Sequence, residues 1–168
     1  DRRSIPINPE DNVGDIHDRL MMLGAELTID TVQRILDGNL TTTPQDELTK
    51  GVEPTPAPKI FKETCHIDWT RNARDIHNLV RGLSPYPAAW CELVSPDNDI
   101  KTIKIFTTAV TDDDASAEPG TIKSDNHRML IACGDKWLEV LSLQLSGKRR
   151  MDTAEFLRGF NPAAYKAQ

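Results

Sequence analysis

Five short runs between residues 89 and 145 constrain this chain most. Residues 90–94, 101–110, 120–123, 128–133 and 137–145 are rich in β-branched and aromatic side chains, and turn residues bound each run. Runs of that length and spacing form strands. One helical pattern lies directly upstream: Ala73, Ile76, Val80 and Leu83 recur at three- and four-residue steps. Thr70 is placed to cap that helix, and Gly82, Pro85 and Pro87 stop it. The expected fold class is α+β, a small OB-like β-barrel with a packed helix. Leu138, Val140, Leu143 and Leu145 keep period two only in part, which predicts a bulge or bend. Asp152 with Glu155 three residues on matches a capping box for a short closing helix over Phe156, Leu157 and Phe160.

The first part of the chain reads differently. Residues 4–7 look like the tail of a strand. Asn8 before Pro9, or Asn12 three residues before Asp15, can cap a helix. Val13, Ile16, Leu20 and Leu23 begin an apolar stripe, Gly24 interrupts it, and Leu27, Val32, Ile35 and Leu36 resume it before Gly38-Asn39. One kinked helix or two consecutive ones are expected, needing a partner sheet to bury the stripe. Residues 39–58 hold Pro44, Pro54, Pro56 and Pro58 and read as an extended, semi-rigid linker. The chain lacks a starting Met and opens inside the strand-like segment. It is therefore expected to be a fragment of a longer polypeptide.

Composition excludes some roles. No apolar run approaches the roughly 18 residues of a membrane span, and residues 1–7 have no signal-peptide pattern. Three distant cysteines form no CxxC, so neither a zinc site nor a disulfide framework is expected; buried thiols in a reducing, cytoplasmic setting are. The net charge of −6 argues against nucleic acid at face value. Its distribution argues otherwise. Residues 1–50 carry 5 basic and 10 acidic side chains, whereas residues 121–168 carry 8 basic and 5 acidic. A basic face on an acidic chain is possible because local field outweighs the total.

The four histidines offer no catalytic pattern. His17 with Asp18 and His77 with Asp75 stand at helix spacings that do not face each other. No metalloprotease, nucleophile-elbow or P-loop motif occurs. Ser146-Gly147-Lys148-Arg149-Arg150-Met151 follows a strand and precedes a helix start, so its three cations are placed to grip phosphates. Its plain alternative is a solvated basic turn. Lys59-Ile60-Phe61-Lys62 presents two ammonium groups beside apolar anchors, with ordinary snorkelling as the alternative. Ser84–Trp90, with Tyr86 between two prolines, reads first as a rigid turn that packs its aromatics, and second as a base-stacking element.

These segments resemble the C-terminal domain of the methionyl-tRNA formyltransferase family. Ala57-Pro58-Lys59-Ile60-Phe61-Lys62, Ile67-Asp68-Trp69-Thr70, residues 76–90, Pro119-Gly120-Thr121-Ile122 and residues 141–151 carry the likeness in order and spacing. The resemblance implies residues 1–38 as the C-terminal end of a Rossmann-like formyltransferase domain, residues 39–58 as the linker and residues 59–168 as an OB-like tRNA-binding domain. It implies a parent enzyme that moves a formyl group from 10-formyltetrahydrofolate to initiator methionyl-tRNA. The family's catalytic Asn, His and Asp fall before residue 1, so no catalytic residue, metal ligand or cofactor site is carried over, and this fragment is expected to be inactive alone. Lys59, Lys62, Lys148, Arg149 and Arg150 are the implied tRNA contacts. The implied partners are the tRNA, the N-terminal catalytic domain of the same polypeptide and, through residues 1–38, a second copy. Two positions depart from the family: Thr55-Pro56-Ala57 lacks its tyrosine, and Gly134-Asp135-Lys136 stands where Gly-Asp-Gly is usual. The rival readings are the C-terminal domain of a sugar-nucleotide or folate-oxidising formyltransferase, and a non-enzymatic protein-interaction module.

Overall fold

The computed structural model describes residues 1–168, which divide into two compact units. The first comprises residues 1–11 and 15–60, the second residues 12–14 and 61–168.

Helix α1 (Val13–Leu36) is one continuous helix, and none of its residues is buried. Asn12 caps it: its side-chain oxygen accepts from the Gly14 N–H at 2.7 Å. Of the two arrangements expected, one helix or two, the chain takes the single helix through Gly24. A helical glycine costs only about 1 kcal/mol against alanine, and Leu23, Ala25, Glu26 and Leu27 around it are good helix formers. Residues 4–7 join no sheet, so the expected strand tail is not a strand here. A strand needs another strand to pair with; here the Pro6 carbonyl accepts from the Arg19 side chain at 3.3 Å instead. The linker is not wholly extended either, since α2 (Gln45–Leu48) forms a single turn within it.

The second unit is the α+β barrel. A short 3-10 turn (Glu63–Cys65) leads to α3 (Ala73–Leu83), then β1 (Ala89–Val94), β2 (Ile100–Asp114), β3 (Ile122–Ser124), β4 (Met129–Ala132) and β5 (Lys136–Leu145). Two-residue strands β6 (Met151–Asp152) and β7 (Lys166–Ala167) flank α4 (Thr153–Leu157). The strand order is β3-β4-β5-β2-β1-β7, with β6 paired to β5. The sheet's two ends meet where Thr121 bridges Lys166 and the Ala167 N–H donates to the Gly120 carbonyl at 2.8 Å, making a nearly closed barrel.

Alternation explains the core. Ala89, Cys91 and Leu93 of β1 point inward, as do Ile103 and Ile105 of β2 and Leu138, Val140 and Leu143 of β5; all are fully buried. Ile76, Val80 and Leu83 of α3 cover them, as their spacing predicts. Each such side chain contributes roughly 1.5–3 kcal/mol by leaving water. The expected irregularity falls between β2 and β5, where the register shifts at Ile105–Thr107 and again at Thr107–Thr108.

The two caps expected in the barrel differ from the expectation, unlike that of Asn12. Asn72, not Thr70, caps α3 by accepting from the Asp75 N–H at 2.8 Å. Thr70 instead donates its hydroxyl to Asp68 at 2.6 Å. A second cap comes from sixty residues away: the Asp135 carboxylate accepts from the Ala73 N–H at 2.7 Å. Asp152 stands at the N-cap of α4 without a side-chain cap bond, and the Glu155 side chain of the expected box pairs with Arg149 instead.

Cys65, Cys91 and Cys133 are free and buried. Burial pushes the Cys91 and Cys133 thiols up to about 12. The native chain at pH 8 should therefore resist a thiol reagent, and denaturation should release three reactive equivalents. Rapid labelling of any thiol in the native state would contradict this core.

Candidate nucleic-acid interface

Strands β1, β2 and β5 lie side by side, and their outward residues form a row. Trp90 is the register partner of Lys104, and Lys104 is the partner of Gln144. Neighbouring strands stand about 4.8 Å apart, so these three side chains follow one another across the barrel. Lys62 closes one end of the row. Its ammonium lies 5.1 Å from the centre of the Trp90 ring, and the Trp90 indole N–H donates to the Lys62 carbonyl at 2.9 Å. Lys148 closes the other end, where the Gln144 amide donates to its carbonyl at 2.7 Å. In the middle, the exposed Lys104 ammonium donates to the Pro87 carbonyl at 3.1 Å.

No carboxylate pairs with Lys62, Lys104 or Lys148. Four other cations of the barrel are answered by acids: Lys101 with Asp99 at 2.7 Å, Arg128 with Glu139 at 2.8 Å, Lys166 with Glu118 at 2.7 Å and Arg71 with Asp75 at 3.1 Å. Lys101 and Lys166 hold the Asp99 and Glu118 carboxyls below the usual carboxylate range by hydrogen bonding to them. Such exposed pairs add little stability. They do cancel local field, whereas the three lysines of the row keep theirs.

The basic cluster at 148–150 divides in three. Beside Lys148, Arg149 forms an ion pair with Glu155, which lowers its value as a phosphate contact. Arg150 lies over the Phe106 ring at 4.5 Å and donates to the Ser142 hydroxyl at 2.9 Å. Its guanidinium meets hydroxyls rather than an acid, so its charge stands. Arg149, Arg150, Ser142 and Glu155 line an open cleft of about 460 Å³ with Thr107, Met151 and Asp152; Lys148 lies outside its lining. Lys59 is exposed and belongs to the first unit.

The turn before β1 departs from expectation. Tyr86 is 83% exposed rather than packed into the fold. Ala88, in a left-handed conformation with φ of 73°, sends its N–H back to the Leu83 carbonyl at 2.9 Å, and that turns the tyrosine outward. Trp90, half-buried, does pack as expected, edge-on to His66 at 4.4 Å. His17 also departs, lying 3.1 Å from Asp18 although adjacent residues diverge on a helix; both side chains are exposed and reach sideways. His77 ignores Asp75, its Nδ1 lying 3.0 Å from the Thr108 hydroxyl in the core.

Lys104 is the residue that sequence reasoning passes over. The alternation of residues 101–106 turns it outward, but the strands beside it are set by register, which no local pattern encodes.

Residues 59–161 match the family described as formyl transferase, C-terminal domain, and the chain belongs to that family. Its sequence is 48% identical over 158 residues to a methionyl-tRNA formyltransferase of Bacteroides fragilis, covering 94% of this chain and 49% of that one. It is 44% identical over 165 residues to the enzyme of that name from Parabacteroides distasonis, covering 97% and 51%. For Flavobacterium johnsoniae the identity is 43% over 155 residues, covering 92% and 48%. The chain thus spans about half the length of the curated relatives it matches. Among solved structures, a multiply substituted variant of HypX from Aquifex aeolicus is similar with a TM-score of 0.56, covering 81% of this chain and 24% of that one. At 18% identity that likeness is one of fold. No helix is long and apolar enough to cross a membrane.

Proposed function

We propose that this chain is the C-terminal part of a methionyl-tRNA formyltransferase, and that its barrel holds initiator methionyl-tRNA for a catalytic domain of the same polypeptide. That domain transfers the formyl group of 10-formyltetrahydrofolate to the methionyl amine. None of this chain's residues is assigned to the donor or to the chemistry, so the 168 residues alone should be inactive. The observation that carries the reading is the row of cations without acids. Lys62, Lys104 and Lys148, with Arg150 beside them, offer phosphates a positive strip across one face of the barrel. Lys59 and the partly engaged Arg149 remain secondary contacts in this proposal.

The same reading takes residues 1–38 as the end of the catalytic domain, 39–58 as the linker and 59–168 as the tRNA-binding domain. The uncovered apolar side chains of α1, such as Leu20, Ile29 and Ile35, support a partner surface for that helix. We assign that surface to the catalytic domain, and light scattering distinguishes this from a dimer through residues 1–38. The three unpaired thiols favour a cytoplasmic setting.

Titrating initiator tRNA with the chain at two salt concentrations tests the proposal. Four phosphate contacts predict a log–log salt slope of about −3. Absence of binding at low salt would remove the reading in favour of a sugar-nucleotide enzyme or a protein-interaction module.

A further inference from the structure

The cationic row has an aromatic neighbour that phosphate binding does not explain. Tyr86 is 83% exposed, among the highest exposures of any large apolar or aromatic side chain here. Its ring stands on a turn whose base is fixed. Ser84, Ala88 and Ala89 on either side are buried, prolines flank the residue, and the Ala88 N–H ties the turn to the end of α3 at 2.9 Å. No hydrogen bond engages the Tyr86 hydroxyl. The turn also touches the row directly, since Lys104 donates to the carbonyl of Pro87, the residue after Tyr86.

We infer that Tyr86 is a stacking platform for an unpaired nucleobase of the bound RNA, with Lys104 beside it taking an adjoining phosphate. The inference rests on the tRNA-binding reading and adds a contact to it. An exposed aromatic on a fixed backbone loses little conformational freedom when it stacks, and every base has a π-face to offer. The company it keeps selects RNA over protein as the occupant. A protein-docking tyrosine is surrounded by apolar surface, whereas the turn that carries this one is held by the Lys104 ammonium, which no acid pairs.

The test measures binding of the 168-residue chain to initiator tRNA and to a blunt RNA duplex of its acceptor-stem sequence. Tyr86→Ala should weaken tRNA binding about tenfold. Its salt slope should stay unchanged, because no charge is removed. Binding to the blunt duplex, which has no unpaired base, should also be unchanged. Tyr86→Phe should bind like the parent, since it keeps the ring and drops only the hydroxyl. Equal tRNA binding by Tyr86→Ala and the parent overturns the inference. So does an equal loss on the blunt duplex, a loss in Tyr86→Phe matching that in Tyr86→Ala, or a loss of self-association with RNA binding intact. If Lys→Gln changes in the row flatten the salt slope while Tyr86→Ala has no effect, only the stacking role falls. If the parent chain binds no tRNA at any salt, both readings fall.

Discussion

Alanine at Gly120 should cost the barrel about 3 kcal/mol, and alanine at Gly134 a similar amount. Gly120 has φ of +84°, where a side chain is strained in any surroundings. A Cβ there would also overlap the Ala167 carbonyl oxygen and come within 3.2 Å of its carbon. These atoms form the seam that closes the sheet, so neither can withdraw without opening the Gly120–Ala167 hydrogen bond. Gly134 meets a different obstacle. Its Cβ would overlap the Thr70 carbonyl oxygen and lie 3.1 Å from that of Arg71, which accepts from the Gly134 N–H at 2.8 Å. That contact holds the β4–β5 hairpin against the start of α3, next to the Asp135 cap. For a domain of this size, about 3 kcal/mol lowers Tm by roughly 10–20 °C. Gly159→Ala is the control, because a Cβ there has nothing within 4 Å. Thermal unfolding followed by circular dichroism reads all three. A drop at Gly120 or Gly134 no larger than that at Gly159 would show that the backbone gives way more easily than this geometry allows.

The second large effect concerns binding. Converting Lys62, Lys104 and Lys148 together to glutamine should reduce tRNA affinity about a hundredfold near physiological salt and flatten the log–log slope by about 2–3. Each lysine contributes a charge that no acid offsets, so each loss is expected to be nearly additive. Arg128→Gln provides the contrast. Its bidentate pairing with Glu139 already cancels it, so binding should change little. Filter binding or a gel shift over a salt series measures both variants. Equal slopes for the triple variant and the parent would place the RNA elsewhere on the protein.

Much of the barrel was legible in the sequence because local rules and burial agree. The stripe Ala73, Ile76, Val80 and Leu83 is an amphipathic helix face in sequence and a buried face in space. The five β-rich runs became β1 to β5 with small shifts at their ends. Other features depended on partners distant in sequence. Strands β6 and β7 are two residues each and exist only through pairing with β5 and β1. The Asp135 cap on α3 joins residues 62 positions apart. Tyr86 looked like a packing residue because prolines on both sides imply a rigid turn, but rigidity says nothing of which way the ring points. The charges were the least legible. Lys148, Arg149 and Arg150 look equivalent in sequence, yet one is open, one is paired with Glu155 and one is laid over Phe106.

The row from Lys62 to Lys148 draws on positions 62, 90, 104, 144 and 148; strand pairing aligns the middle three, and side-chain hydrogen bonds from Trp90 and Gln144 attach the ends. A one-residue slip between β1 and β2 would turn Lys104 toward the interior. Affinity for an anionic polymer is therefore a readout of sheet register. By mass action the polymer must in turn stabilise the correctly paired barrel. On the proposed reading, sequence changes that loosen the pairing should weaken RNA binding even when every lysine is kept.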